Sequence, residues 1–509
     1  MSRLRNAFLD RLLIVTALFF AGLPISAAAL DPEQFRDFVA EGMELWHVPG
    51  LAVAVVGSDR TEFMQGFGVT AIDGGVPVDE HTRFANASTT KAMVAAGLLI
   101  LVDDGALGLD DAVTKHLPEL RFEDPLLTRD LTVRDLLTHR TGLPSTDFWA
   151  FFQNMPLDEQ VRRLAAVKPV VSLRTRHIYQ NTMYELVGLV IERISGQRWD
   201  RFLAERLWRP IGMHDTVGSR ARIPDGMAHV LPHSYLDERL EVTDWDLPAD
   251  VADAAGSAWT SLHDMALWAQ FLLRGGVTAT DERLISEERF ADYFRPQHLI
   301  AADDFYPTAE LTQPHWITYA LGWFQQDFQG RQIDFHTGSL SGLIAIIGLD
   351  RAQDRAVVVL GNRDHAELRH AVLWEVMDNA PTATRRDWNA DIVALYEARD
   401  EDAEQRWRDV EAKRLEDTRP ALPLAAYAGR FESPVLGELA VAAGDGGLRL
   451  RSALLELPLS HWHLDTFLLD YRPWQLREFL QYRVGPEGAA DSFTLFGETF
   501  TKVADGDRE

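Results

Sequence analysis

Acidic residues outnumber basic ones 77 to 50 in this 509-residue chain, a formal charge of -27, and 46% of its residues are hydrophobic. That is the composition of a soluble globular protein long enough for two or three domains, and its acidity argues against nucleic acid or an anionic membrane as a partner. Cysteine is absent, which excludes disulfides, thiol catalysis, thiolate metal sites and a lipidated amino-terminal cysteine.

Residues 1–29 carry Arg3, Arg5 and Arg11, then an apolar run over 12–23, then small residues. This is the layout of a secretory signal peptide with cleavage after Ala29, an uncleaved anchor being the alternative. The run is short for a membrane span, which needs roughly 20 residues, and no later segment is apolar enough to cross a bilayer. The mature protein is therefore expected in the periplasm or outside the cell.

The runs 49–57 and 61–70 predict a β-hairpin. From Thr89 to about Val102 the chain is rich in Ala and Leu, which predicts a buried helix starting near Ser88. A turn and an irregular connection follow over 105–120. Residues 131–275 read as mostly helical, clearest in the amphipathic stretch 182–196 with Gly196 as its stop; Ser261 and Asp264 have the spacing of a capping box. Strands return over 319–338, 343–350 and 355–363, with a helix over 366–377 to cover them. Strands early and late with helices between predict a mixed α/β domain over 30–385, an antiparallel sheet flanked by helices with a helical subdomain. The densely charged stretch 386–420 predicts a solvated linking helix. Short alternating runs over 421–509 predict a small all-β module, barrel or sandwich.

Lys91 is one of only five lysines, in an otherwise uncharged run three residues after Ser88. Positions i and i+3 of a helix share a face, so the amine can approach the hydroxyl. The positive end of the helix and apolar surroundings both disfavour an ammonium, lowering its pKa and making it a usable base. A serine hydroxyl needs such a partner, and donors for the oxyanion that follows, to act as a nucleophile. A lone S-x-x-K arises often by chance, but two further features accompany it. Tyr179 and Asn181 form the only Y-x-N, just ahead of a helix, and His336, Thr337 and Gly338 end a predicted strand. A tyrosine can relay protons beside a lysine, an asparagine can hold an amide, and a glycine lets a substrate backbone pass close to a strand edge.

In order and spacing, Ser88-Thr-Thr-Lys91, Tyr179-Gln-Asn181 and His336-Thr-Gly338 resemble the three motifs of the class C β-lactamase and penicillin-binding serine hydrolases. The stretches 136–144 and 357–363 look like the same family, and the resemblance spans roughly 31–385. It implies Ser88 as acylated nucleophile, with Lys91 and Tyr179 sharing the base and acid roles. It further implies Asn181 holding the substrate's amide carbonyl and the N–H groups of Ser88 and Ser339 forming the oxyanion hole, with neither metal nor cofactor. Histidine replaces the lysine of K-T-G at His336; a largely neutral imidazole suits a substrate carboxylate poorly. His-containing versions are similar to those of esterases and D-amino-acid peptidases. The β-module resembles the lipocalin-like domain of some serine peptidases of the group.

The resemblance thus implies an exported serine hydrolase acting on small peptide, amide or ester substrates, with a homo-oligomer left open. The alternatives are a penicillin-recognising sensor that is acylated without turnover, and a β-lactamase. Without catalysis, Ser88 would be a helix N-cap, Tyr179 and Asn181 would close a turn, and His336 would be a strand-end histidine. His139, the cluster at 365–370 and the pair at 461–463 read as structural or surface groups and not as zinc sites. The absence of G-x-S-x-G argues against an α/β-hydrolase.

Overall fold

Three strands of almost unbroken apolar sequence, Gly50–Val56, Leu343–Asp350 and Arg355–Gly361, are buried at every position, as a sheet covered on both faces requires. The computed structural model describes residues 30–243, 252–381, 384–444 and 446–503, so the expected signal peptide lies outside the described residues. The three strands are the middle of an eight-stranded antiparallel sheet. Its order is Thr61–Gly68, Gly50–Val56, Arg355–Gly361, Leu343–Asp350, Arg331–Leu340, Phe324–Phe328, Ile317–Tyr319 and His298–Leu299.

Alternation along each strand divides the core in two. Ala52, Ala54, Ala345 and Val358 face the cluster that holds the helix Thr90–Asp103. Val53, Val55, Ile346 and Val357 face the one that holds Leu368–Met377 and the amino-terminal helix Pro32–Leu45. The fold is the expected mixed α/β arrangement, with the predicted first hairpin and a sheet that joins both ends of the segment.

Within 131–275 the helices are accompanied by strands that the sequence reading did not anticipate. Arg83–Ala85 pairs with Trp259–Ser261, and His233–Leu236 with Arg239–Val242. Strands of three or four residues are too short to carry a period. The capping box at Ser261 is half made: its hydroxyl accepts from the Asp264 N–H, while the Asp264 carboxylate accepts from Asp215 N–H and Thr216 Oγ1. Tertiary partners have taken the carboxylate that a capping box would use.

The charged helix Trp388–Glu411 buries Trp388, Asn389 and Ile392 at its start and sets Trp407 against Trp462 and Phe479 at 5.6 and 6.1 Å. Gly429–Ser433 then pairs with both Gly437–Gly444 and Glu498–Lys502, closing an eight-stranded barrel that has no free edge. Phe431, Phe467, Tyr482 and Phe493 are among the buried rings that pack together there. The barrel meets the rest of the chain at the short helix Phe148–Phe151. Trp149 Nε1 donates to the Val435 carbonyl at 2.8 Å, Gln153 Nε2 to that of Glu438 at 2.7 Å, and the Phe148 ring lies 5.1 Å from Phe496. Among the described residues no helix is long and apolar enough to cross a membrane.

Candidate active site

Ser88 sits in a single 3-10 turn, Ala87–Thr89, that runs directly into the helix Thr90–Asp103. Its side chain caps neither element. The preceding residue, Ala87, has φ +44°, a left-handed conformation costing a non-glycine residue about 1–2 kcal/mol. It is held by Asn86, whose N–H donates to the Ala258 carbonyl at 2.8 Å and whose Oδ1 accepts from Thr89 Oγ1 at 2.6 Å. The helix that follows is buried on all sides from Thr90 to Leu101, so Lys91, fully buried, cannot carry its amine to water.

The Lys91 amine meets three oxygens: Ser88 Oγ at 3.1 Å, Asn181 Oδ1 at 2.7 Å and the Ala255 carbonyl at 2.8 Å. The last two can only accept. Burial pulls the amine down to about 7, against the opposing pull of Asp147 and Glu185. A neutral amine has two N–H bonds and one lone pair. With both N–H groups directed at Asn181 and Ala255, the lone pair is left for the Ser88 proton.

Asn181 opens the helix Asn181–Ser195. Its Nδ2 donates to Asp147 Oδ1 at 3.0 Å, which fixes the amide with its oxygen toward Lys91 and leaves one N–H unused by that bond. Asp147 is the residue just before the helix that carries Trp149, and burial raises its carboxyl above the usual range. Glu185, one turn beyond Asn181, is pushed by burial up to about 8. The Tyr179 ring lies 4.8 Å from the Lys91 amine. Its hydroxyl is buried and, among the described residues, makes no hydrogen bond of good geometry; burial holds the phenol well above its ordinary value, and the Ser88 hydroxyl is near enough to pull weakly the other way.

The strand Arg331–Leu340 closes the site. A Cβ at Gly338 would stand 2.9 Å from the Ser88 nitrogen and 2.7 Å from the Asn86 oxygen, so only glycine lets the strand come this near. Ser339 is exposed beside it. His336 is fully buried. Its Nδ1 bonds the Thr337 carbonyl at 2.7 Å and its Nε2 meets the Tyr319 hydroxyl at 3.1 Å, and burial lowers the ring to about 3. It is thus a neutral imidazole with both nitrogens engaged inside the protein.

The structure therefore brings Ser88, Lys91, Tyr179, Asn181 and Gly338 together, sets Ser339 at the rim and places His336 behind them. Sequence reading missed Asp147, the Ala255 carbonyl and Glu185. Only Glu185 had a signal, four residues after Asn181 on the same helix face. His139, read as structural, accepts from the Gln180 N–H through Nδ1 at 3.2 Å and lies 4.3 Å from the Tyr179 ring. Of the remaining histidines singled out, His365 pairs with Asp364, His370 with Glu367, His461 with the Leu464 carbonyl and His463 with the Leu415 N–H. One group among the described residues has metal-ligand spacing: His81, Asp215 and His263, with ligand atoms within 4.8 Å of one another. Arg83 already holds one Asp215 oxygen at 2.8 Å.

The family model described as Beta-lactamase matches residues 35–381, and one described as a domain of unknown function (DUF3471) matches 413–507. The chain is 28% identical over 453 residues to the unguisins hydrolase ungD of Aspergillus violaceofuscus, covering 81% of this chain and 77% of that protein. It is 24% identical over 340 residues to protein flp of Staphylococcus aureus, covering 65% and 63%. Among solved structures, the octameric penicillin-binding protein homologue from Pyrococcus abyssi superposes with a TM-score of 0.59 at 18% identity, over 93% of this chain and 100% of that one. The D-amino acid amidase from Ochrobactrum anthropi gives 0.54 at 21%, over 68% and 98%.

Proposed function

Because the chain belongs to the Beta-lactamase family of serine hydrolases, we propose that it cleaves amide bonds in small peptides, those containing D-residues included, through an acyl-enzyme on Ser88, with esters as secondary substrates. The observation that carries this reading is the Lys91 amine, buried, bonded to Ser88 Oγ and with its other two contacts on pure acceptors. Ser88 Oγ attacks the substrate carbonyl as its proton passes to the Lys91 lone pair. The tetrahedral oxyanion lies between the N–H groups of Ser88 and Ser339. The C–N bond breaks as the leaving amine takes a proton, delivered by Lys91 or by way of Tyr179, and water repeats the sequence on the acyl ester. The second N–H of Asn181, not used by the Asp147 bond, would donate to a substrate carbonyl.

A relative named as a hydrolase of unguisins supports hydrolysis. The buried, neutral His336 weighs against β-lactams as preferred substrates, because the third motif then offers no cation to their carboxylate. Export to the periplasm or beyond is part of the proposal and rests on residues 1–29; the amino-terminal sequence of the protein recovered outside the cytoplasm should begin at residue 30.

A fluorophosphonate probe followed by peptide mapping should place the label on Ser88, and Ser88→Ala should abolish both labelling and turnover. Label found elsewhere, or an unlabelled folded protein, would end the reading; labelling without repeated turnover would favour a sensor. The pH dependence has a definite sign. Lys91 must be neutral to accept the proton, so kcat/KM should climb roughly tenfold per pH unit up to about pH 7 and then level off. His336, neutral well below that, should add no inflection near neutrality. A profile that falls between pH 6 and 8 would contradict Lys91 as the base.

A further inference from the structure

Resting on the Ser88 acyl-enzyme reading, we propose that Arg369 is a positioning residue that sets the second donor of the oxyanion hole. Arg369 lies on the helix Leu368–Met377 and is 4% exposed. Its Nη1 donates to the Gly338 carbonyl at 2.5 Å and to Ser339 Oγ at 2.7 Å. Glu367 holds the other side of the guanidinium, Nη2 to Oε1 at 2.9 Å and Nε to Oε2 at 3.3 Å, and His370 backs the same carboxylate. The charged pair keeps Glu367 deprotonated, well below the usual carboxylate range, in spite of its burial.

The consequence follows from the geometry of one peptide group. The Gly338 carbonyl and the Ser339 N–H belong to the same planar trans amide and point in opposite directions. Fixing the oxygen on Arg369 therefore aims the Ser339 N–H the other way. The pairing register agrees. Leu340 and Leu343 close a two-residue turn as a hydrogen-bonded pair. Alternation from there turns Gly338 toward the neighbouring strand Leu343–Asp350 and Ser339 toward the opposite edge. On that edge the pairing with Phe324–Phe328 has already stopped at Phe335, so among the described residues no strand takes the Ser339 N–H. The ladder pairing of Gly338 with Ala345 lies only two residues from the end of the strand pair, and Arg369 adds a buried side-chain anchor to the same carbonyl that limits rotation of this amide. An oxyanion donor a few tenths of an ångström out of place loses much of its effect.

Two oxygens bound by one nitrogen of a planar, rigidly held guanidinium are not reproduced by lysine, a single mobile point charge. Arg369→Lys preserves the charge opposite Glu367 and should fold; Arg369→Gln removes the charge. The test compares steady-state kinetics on a p-nitrophenyl ester with inhibition by a boronic acid, which forms a tetrahedral adduct on Ser88. Arg369→Lys should lower kcat about tenfold and Arg369→Gln about 100-fold, with KM within about twofold of wild type. Boronate affinity should fall in parallel with kcat/KM. The pH midpoint set by Lys91 should not move, which separates misdirected donors from a loosened core. If Arg369→Gln fails to fold, Arg369→Lys alone decides. Unchanged kcat, or a loss carried by KM or by a displaced pH midpoint, would overturn the role of Arg369. Failure of the underlying reading would register differently, as a wild-type protein whose Ser88 neither takes the label nor binds the boronate.

Discussion

Lys91→Met is expected to lower kcat/KM by about 1,000-fold, within the range for removing a positioned acid–base group, while leaving the fold intact. Methionine matches the lysine stem in length and suits a helix buried on every side. What it removes is the lone pair facing Ser88 Oγ and the two N–H bonds that steer it there. Lys91→Arg should be no better, since a guanidinium does not give up its proton in this range. The pair of variants separates a base from a mere positive charge, because electrostatic help alone would survive in the arginine protein. Ester hydrolysis and fluorophosphonate labelling rates, read beside Ser88→Ala, measure the loss. Activity within tenfold of wild type in either variant would remove Lys91 from the proton transfer and leave Tyr179 to carry it.

Trp149→Ala is expected to destabilise the protein by about 3–5 kcal/mol, the usual cost of emptying a large buried aromatic site, and to reduce turnover as well. Trp149 is fully buried and its indole N–H is the donor to the Val435 carbonyl of the barrel. The same four-residue helix begins directly after Asp147, whose carboxylate orients Asn181 and, through it, the Lys91 amine. Loosening this helix should therefore be felt at the site, more in kcat than in KM. Trp149→Phe, which keeps most of the ring but not the donor, should cost about 1 kcal/mol. A chain ending at residue 420 should resemble Trp149→Ala, having lost every barrel contact on this helix. Thermal unfolding and ester kinetics on the three proteins provide the measurement. A truncated chain as stable and as active as the intact one would detach the barrel from the chemistry.

Much of the site was legible because its members lie close in sequence and sit at the starts or ends of regular elements. Ser88 and Lys91 are one helical turn apart, Tyr179 and Asn181 flank a helix start, and Gly338 marks a close approach. Local spacing states such relations directly. Asp147, the Ala255 carbonyl and Arg369 were illegible for the opposite reason. Each acts through a partner far away in the chain, and one acts through its backbone, which every residue possesses. Nothing in TDFWAFF or HAELRH distinguishes a group that orients an amide from one that covers a surface. The short strand pair Arg83–Ala85 and Trp259–Ser261 escaped for lack of length, and the half-made cap at Ser261 because tertiary contacts captured its carboxylate.

The periods of strand and helix, hence the layered α/β body and the separate all-β module, are written in the chain alone, as are the three short motifs that hold the side chains proposed to react. The proton affinity and direction of those groups come from the folded arrangement. Both depend on burial and on distant partners: a lysine gives up its proton more readily because burial disfavours its charge, and an amide N–H faces a site because its carbonyl is held elsewhere.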